Sequence, residues 1–184
     1  MTTTPQPAAR NLADLYHLAP LHWDDVRAVM ETDLTQAPGS GGPDRHTFWL
    51  STVDADGRPH VTGVGAFWTG GRYCFTGGPR SRKIRNIERD PRCALAVAAP
   101  GYDLVVEGRA ARVTDEAALR GIATAFARGG WSPTVADGGF THEYSAPSAG
   151  PPPWHVYGLT PEAVYATKTT GPSGATRWTF THSG

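Results

Sequence analysis

Cysteine is scarce in this chain. Cys74 and Cys93 are the only two in 184 residues, they fall on separate expected strands, and no C-x-x-C spacing joins them. That argues against a zinc site or a dithiol redox centre and predicts two reduced, buried thiols. None of the seven histidines is spaced with Cys, Asp or Glu as metal ligands are, so no metal is expected. Net charge is also missing, because 17 Lys and Arg balance 17 Asp and Glu. A chain without excess positive charge is a poor general binder of nucleic acid or acidic membranes. No apolar run approaches the roughly 18 residues of a membrane span, and Met1 to Arg10 has no apolar core, so neither span nor signal peptide is expected and a cytoplasmic location is. Ser51 and Ser81 lack the G-x-S-x-G setting of a hydrolase elbow, and there is no internal repeat.

Glycine and proline, by contrast, are plentiful. The 22 Gly and 16 Pro impose many turns and leave room for few long helices, so a mainly β (α+β) fold is expected. Leu12, Leu15 and Leu18, then Trp23, Val26 and Met30, predict two short helices in an N-terminal extension over residues 1–35. A Gly/Pro-rich connector, Gln36 to Asp44, leads into a single domain over 36–184. Its expected strands are His46 to Val53, His60 to Trp68, Arg72 to Thr76, Cys93 to Ala98, Asp103 to Val113, Trp154 to Leu159, Ala163 to Thr169 and Thr176 to Phe180. Hairpin-length connections between most of them favour antiparallel pairing. Asp115 to Arg128 has the apolar spacing of a longer helix. Gly129 to Pro153 is too long and too aperiodic for a simple connection, and its aromatics, Trp131, Phe140, His142 and Tyr144, argue for an ordered loop that roofs a ligand site or covers exposed sheet.

The most informative stretch is Thr76 to Val97, T-G-G-P-R-S-R-K-I-R-N-I-E-R-D-P-R-C-A-L-A-V. Gly77 and Gly78 allow a tight turn, and Pro79 suits the start of a helix beginning near Arg80. Free N–H groups and the positive dipole end would then face an anion, with Ser81, Arg82 and Lys83 in the same first turn. Six cations lie between Arg80 and Arg92. A solvated charged helix is the plainer alternative. Gly63 and Gly65 in the preceding strand mark a bulge or the close approach of another molecule. His60 could polarise a ligand but is more simply a surface or core histidine.

Phe48 to Val97, with W-L-S-T-V-D-A-D-G-R-P-H, Y-C-F-T, S-R-K and N-I-E-R-D-P-R-C-A-L-A-V in order, resembles the pyridoxamine 5'-phosphate oxidase-like superfamily of split-barrel flavin-binding proteins. The resemblance implies a six-stranded antiparallel split β-barrel with peripheral helices, a homodimer, and FMN at the subunit interface. It places Arg82 and Lys83 at the flavin phosphate, with Thr76 and Ser81 beside them. It lays the flavin ring along the backbone of Thr62, Gly63, Val64, Gly65, Ala66 and Phe67. Thr62 and Phe67 stand where B6 oxidases carry an arginine and a lysine, and the C-terminal Arg-x-His motif is missing. Losing two charge-assisted hydrogen bonds, roughly 1.5–3 kcal/mol each, would weaken binding of a B6 phosphate on the order of a hundredfold or more. The expected activity is therefore an FMN-dependent oxidoreductase for a small apolar or planar substrate, with Trp131, Tyr144 and Trp178 on the substrate side. A reductase using the deazaflavin F420 is the alternative, and a non-catalytic flavin- or haem-binding protein the second. No catalytic side chain is singled out.

Overall fold

The structure, a computed structural model, describes residues 7–36, 45–144 and 149–181. Most of the Gln36 to Asp44 connector and part of the Pro-rich exit of the 129–153 loop lie outside the described residues. In chain order the strands are β1 (Ala8–Asn11), β2 (Phe48–Val53), β3 (Pro59–Val64), β4 (Ala66–Thr69), β5 (Arg72–Gly77), β6 (Arg92–Ala99), β7 (Tyr102–Val113), β8 (Thr134–Ala136), β9 (Gly139–Thr141), β10 (His155–Lys168) and β11 (Ala175–Thr179). The helices are α1 (Trp23–Met30), α2 (Arg82–Arg89) and α3 (Glu116–Arg128). All strand pairs are antiparallel, and the fold is mainly β as expected.

The main sheet has nine strands rather than six. One cause is Gly65, where the single expected strand His60 to Trp68 divides: β3 pairs with β2, whereas β4 pairs with β5. One covalent step thus ties opposite ends of the strand path together, which closes the barrel. A second cause lies at the N-terminus. Leu12 to Leu18 does not form the expected helix: residues 8–11 pair with β11 as an edge strand, and only Asp14–Tyr16 makes a 3-10 turn. Leu12 and Leu15 are 43% and 82% exposed, so their spacing marks no buried face. The Asn11 side chain accepts from the Ala13 N–H, and the Leu12 N–H donates to Ala175, which commits the backbone to the sheet.

Pro161 does not break the last strands apart. β10 runs through it with a shift of register between Pro161 and Ala163, and Gly108 opposite leaves space for the bulge: a Cβ there would lie 2.0 Å from the Thr160 carbonyl oxygen. The first half of β10 is paired to β7 and β5, the second half to β7 and β11. Side-chain alternation on β2, β6 and β7 then fills the interior with Phe48, Leu50, Leu95, Leu104 and Val106, which α1 covers with Val26 and Met30 and α2 with Ile84 and Ile87. A second apolar cluster joins α3, through Leu119, Ile122 and Phe126, to Phe67, Cys74, Phe140 and Trp154. Both cysteines are buried and free, and burial pushes the Cys74 thiol up to about 11 and that of Cys93 to about 12. No helix among the described residues is long and apolar enough to cross a membrane.

Candidate functional site

A backbone turn sets where α2 begins. The Ser81 N–H donates to the Gly78 carbonyl at 2.9 Å and Ser81 itself is extended, so the helix starts at Arg82 with Ser81 as N-cap, not near Arg80 as the spacing predicts. The Ser81 carbonyl accepts from Arg85 at 3.1 Å, leaving the N–H groups of Arg82, Lys83 and Ile84 without partners inside the helix. Gly77 and Gly78 are required by packing rather than by positive φ. A Cβ at Gly77 would lie 2.6 Å from Ile84 Cγ1, and one at Gly78 would lie 2.3 Å from the Ala149 carbonyl oxygen. Residues 149–153 therefore press on the turn, and a cleft of about 550 Å³ opens between them and Gly78 to Ser81.

Three polar groups around this turn lack partners among the described residues. Ser81 Oγ and His155 Nδ1 are buried without a hydrogen bond. Lys83 is only 8% exposed, and no carboxylate holds its ammonium among the described residues, so burial pulls its pKa below the ordinary lysine value. Buried polar groups are normally satisfied, and a cation with a buried stem gains from a counter-charge. An anion at the helix N-terminus would meet the free N–H groups of Arg82, Lys83 and Ile84. The donor set therefore fits the phosphate of a flavin nucleotide.

Arg82 turns the other way. Its Nε donates to Asp54 Oδ1 at 2.9 Å and its Nη2 to Asp54 Oδ2, at the turn between β2 and β3. Asn86 Nδ2, one helical turn on, donates to the same Asp54 Oδ1 at 2.8 Å and to Thr52 Oγ1 at 3.1 Å, and Thr52 Oγ1 lies 3.4 Å from His60 Nδ1. Thr52 and Asn86 are 2% and 4% exposed. The Arg82 guanidinium, helped by Asn86, holds the Asp54 carboxyl well below the usual carboxylate range. The two cations expected to share one phosphate are thus separated: Lys83 packs beside Gly77, and Arg82 is engaged by a carboxylate. Thr76 is half-buried at the end of β5, and strand alternation puts it with Cys74 on the face opposite Gly77.

The expected ring strand is divided by exposure. Thr62 and Val64 are half-buried, Gly63 and Gly65 exposed, and a Cβ at Gly65 would meet only the Gln36 side chain at 3.9 Å. A planar group can approach the backbone there. Ala66 and Phe67 are buried, and Ala66 has both backbone groups occupied by Gln36, which accepts from its N–H at 2.8 Å and donates to its carbonyl at 2.9 Å. The Phe67 ring packs against Phe126 at 4.8 Å and against Gly129, where a Cβ would lie 2.0 Å from it. Its side chain belongs to the α3 interface.

Residues 42–168 match the family model for pyridoxamine 5'-phosphate oxidase. The chain belongs to the pyridoxamine 5'-phosphate oxidase family. No curated protein matches the sequence. Among solved structures, an F420 Reductase is 22% identical with a TM-score of 0.50, over 75% of this chain and 94% of the other. A pyridoxamine 5'-phosphate oxidase-related, FMN binding protein from Nostoc punctiforme is 19% identical with a TM-score of 0.51, over 70% and 78%. A heme binding protein from Mycobacterium smegmatis is 20% identical with a TM-score of 0.50, over 71% and 52%. At these identities the likeness is one of fold.

In this family member the aromatic residues expected on the substrate side separate into two groups. Trp131 and Tyr144 come together: Trp131 Nε1 donates to the Tyr144 carbonyl at 3.1 Å, and His142 lies against both rings, 5.9 Å from Trp131 and 4.4 Å from Tyr144. Tyr144 is 61% exposed. Trp178 is elsewhere. It is 1% exposed on β11, against Trp23 at 5.4 Å, and is a core residue rather than a pocket wall. Sequence reasoning also missed Asp54, Asn86, Gln36 and His155. Asn86 carried a usable signal, since a polar residue between Lys83 and Ile87 on a packed helix needs a partner. Gln36 and His155 carried none, because Gln36 bonds to Ala66, remote in the chain, and His155 meets the start of α2 only through the pairing of β10 with β5.

Proposed function

We propose that this chain is a flavin-dependent oxidoreductase that binds FMN with its phosphate at the N-terminus of α2. The observation that carries the reading is the unpaired donor set there: three helix N–H groups, the Ser81 hydroxyl and the Lys83 ammonium. The bound flavin would supply hydride or two-electron chemistry, and the chain would bind, orient and shield it. Thr62 to Gly65 offer open backbone to the ring, Thr76 closes the end of β5, and Arg82 braces α2 against the hairpin. The Trp131, His142 and Tyr144 cluster would receive a small apolar or planar substrate. With Thr62 and Phe67 in place of cations, B6 oxidation is not the activity proposed. A deazaflavin is the alternative cofactor, and the mass and absorbance of material released by heat separate the two.

Fluorescence titration tests the phosphate directly. FMN is expected to bind at least about tenfold more tightly than riboflavin, as one charge-assisted contact of roughly 1.5–3 kcal/mol requires. Equal affinities would remove the phosphate site.

A homodimer is part of the same reading. The outer face of the β2–β3 hairpin exposes Trp49, Val61 and Val53 by 51%, 54% and 41%, with Trp49 paired opposite Gly63. A contiguous apolar face of this kind on a small protein marks an interaction surface. Sedimentation at micromolar concentration is expected to give the mass of two chains, and Trp49→Lys to shift it toward one.

A further inference from the structure

Of the two buried polar atoms without partners near the start of α2, only Ser81 Oγ lies in the motif. The other, His155 Nδ1, comes from β10. His155 pairs directly with Gly77 in the β5–β10 ladder, and directly opposed residues stand on one face of a sheet. Gly77 faces α2: a Cβ on it would lie 3.1 Å from Lys83 Cε. The His155 imidazole therefore rises on the Lys83 side of the sheet. The next pair on that face, Phe75 and Tyr157, fixes the direction, because Tyr157 donates through its hydroxyl to Glu88, near the far end of α2, at 3.0 Å. α2 thus runs along β10 with Tyr157 toward its C-terminus and His155 toward its N-terminus. Pro153, two residues before His155, lines the cleft beside Ser81.

We propose that His155 donates a hydrogen bond from Nδ1 to the phosphate held at the start of α2, so that the anion is gripped by β10 as well as by the helix. The proposal rests on the phosphate reading above. It gives the orphaned nitrogen a partner and places a ligand outside the S-R-K segment. Burial is the largest influence on the imidazole and holds its pKa below the ordinary histidine value, with Arg112 lowering it further and Glu88 opposing. A neutral imidazole then carries one N–H, and a buried acceptor on the ligand fixes it on Nδ1.

The test compares FMN with riboflavin, which differ by the phosphate. His155→Ala is expected to raise the Kd for FMN about five- to tenfold and to leave that for riboflavin unchanged. His155→Asn, whose amide nitrogen can take the place of Nδ1, should restore FMN binding to within about twofold, whereas a packing role would not discriminate between the two ligands. If the wild-type preference for FMN survives His155→Ala but is lost in Lys83→Ala, the histidine assignment is overturned and the phosphate site stands. If wild-type protein shows no preference for FMN, both fall together.

Discussion

Lys83→Ala is expected to weaken FMN binding by roughly tenfold to a hundredfold or more, the effect of losing a charge-assisted hydrogen bond of about 1.5–3 kcal/mol, whereas Arg82→Ala should change it by less than about threefold. The two residues are adjacent, and the family resemblance treats them as a pair. Their environments differ. Lys83 is buried beside Gly77 with no counter-charge among the described residues, so a bound phosphate would be the first ionic partner seen for it. Arg82 already has Asp54, reinforced by Asn86 and Thr52, and its charge is largely spent on that contact. Removing Arg82 should show instead as a lower urea midpoint, because the β2–β3 turn loses one of its ties to α2 and keeps that of Asn86. The double variant should bind FMN no worse than Lys83→Ala alone. Comparable losses from the two single variants would mean that Arg82 leaves Asp54 for the phosphate.

Trp178→Ala should cost about 3–5 kcal/mol of folding stability, the range for removing a large aromatic side chain from a core. That is a large part of the roughly 5–15 kcal/mol by which domains are stable. Trp178 lies on β11 between β1 and β10 and contacts Trp23 of α1, so the cavity would open where the N-terminal segment, the sheet and the C-terminal strand meet. Urea unfolding of the purified variant measures the loss. Trp178→Phe should recover part of it and leave the FMN affinity unchanged. A stable Trp178→Ala protein with altered substrate selection would restore the tryptophan to the substrate side.

The antiparallel, turn-rich architecture was legible from residue pattern alone, because alternation and Gly/Pro punctuation are local. So were α3 and the basic helix, within two residues at its start. The N-terminal difference has a physical origin: Leu12, Leu15 and Leu18 have helical spacing, but residues 8–11 and the Leu12 N–H are taken by the edge of β11, which leaves only a 3-10 turn before Pro20. Gly65 is legible as a place of close approach, yet that it divides one strand between its two hairpin neighbours depends on where β2 and β5 are held, by β6 and by β10, which are more remote in the chain. At the site, the sequence by itself determined a helix N-terminus preceded by glycines and crowned with Ser81, Arg82 and Lys83. Tertiary structure alone decided that Asp54 takes Arg82, that Lys83 is left unpaired, that Trp178 is core, and that His155 stands opposite Gly77. Which charge is free and which is satisfied depends on contacts across the sheet, and those are made only when the barrel closes.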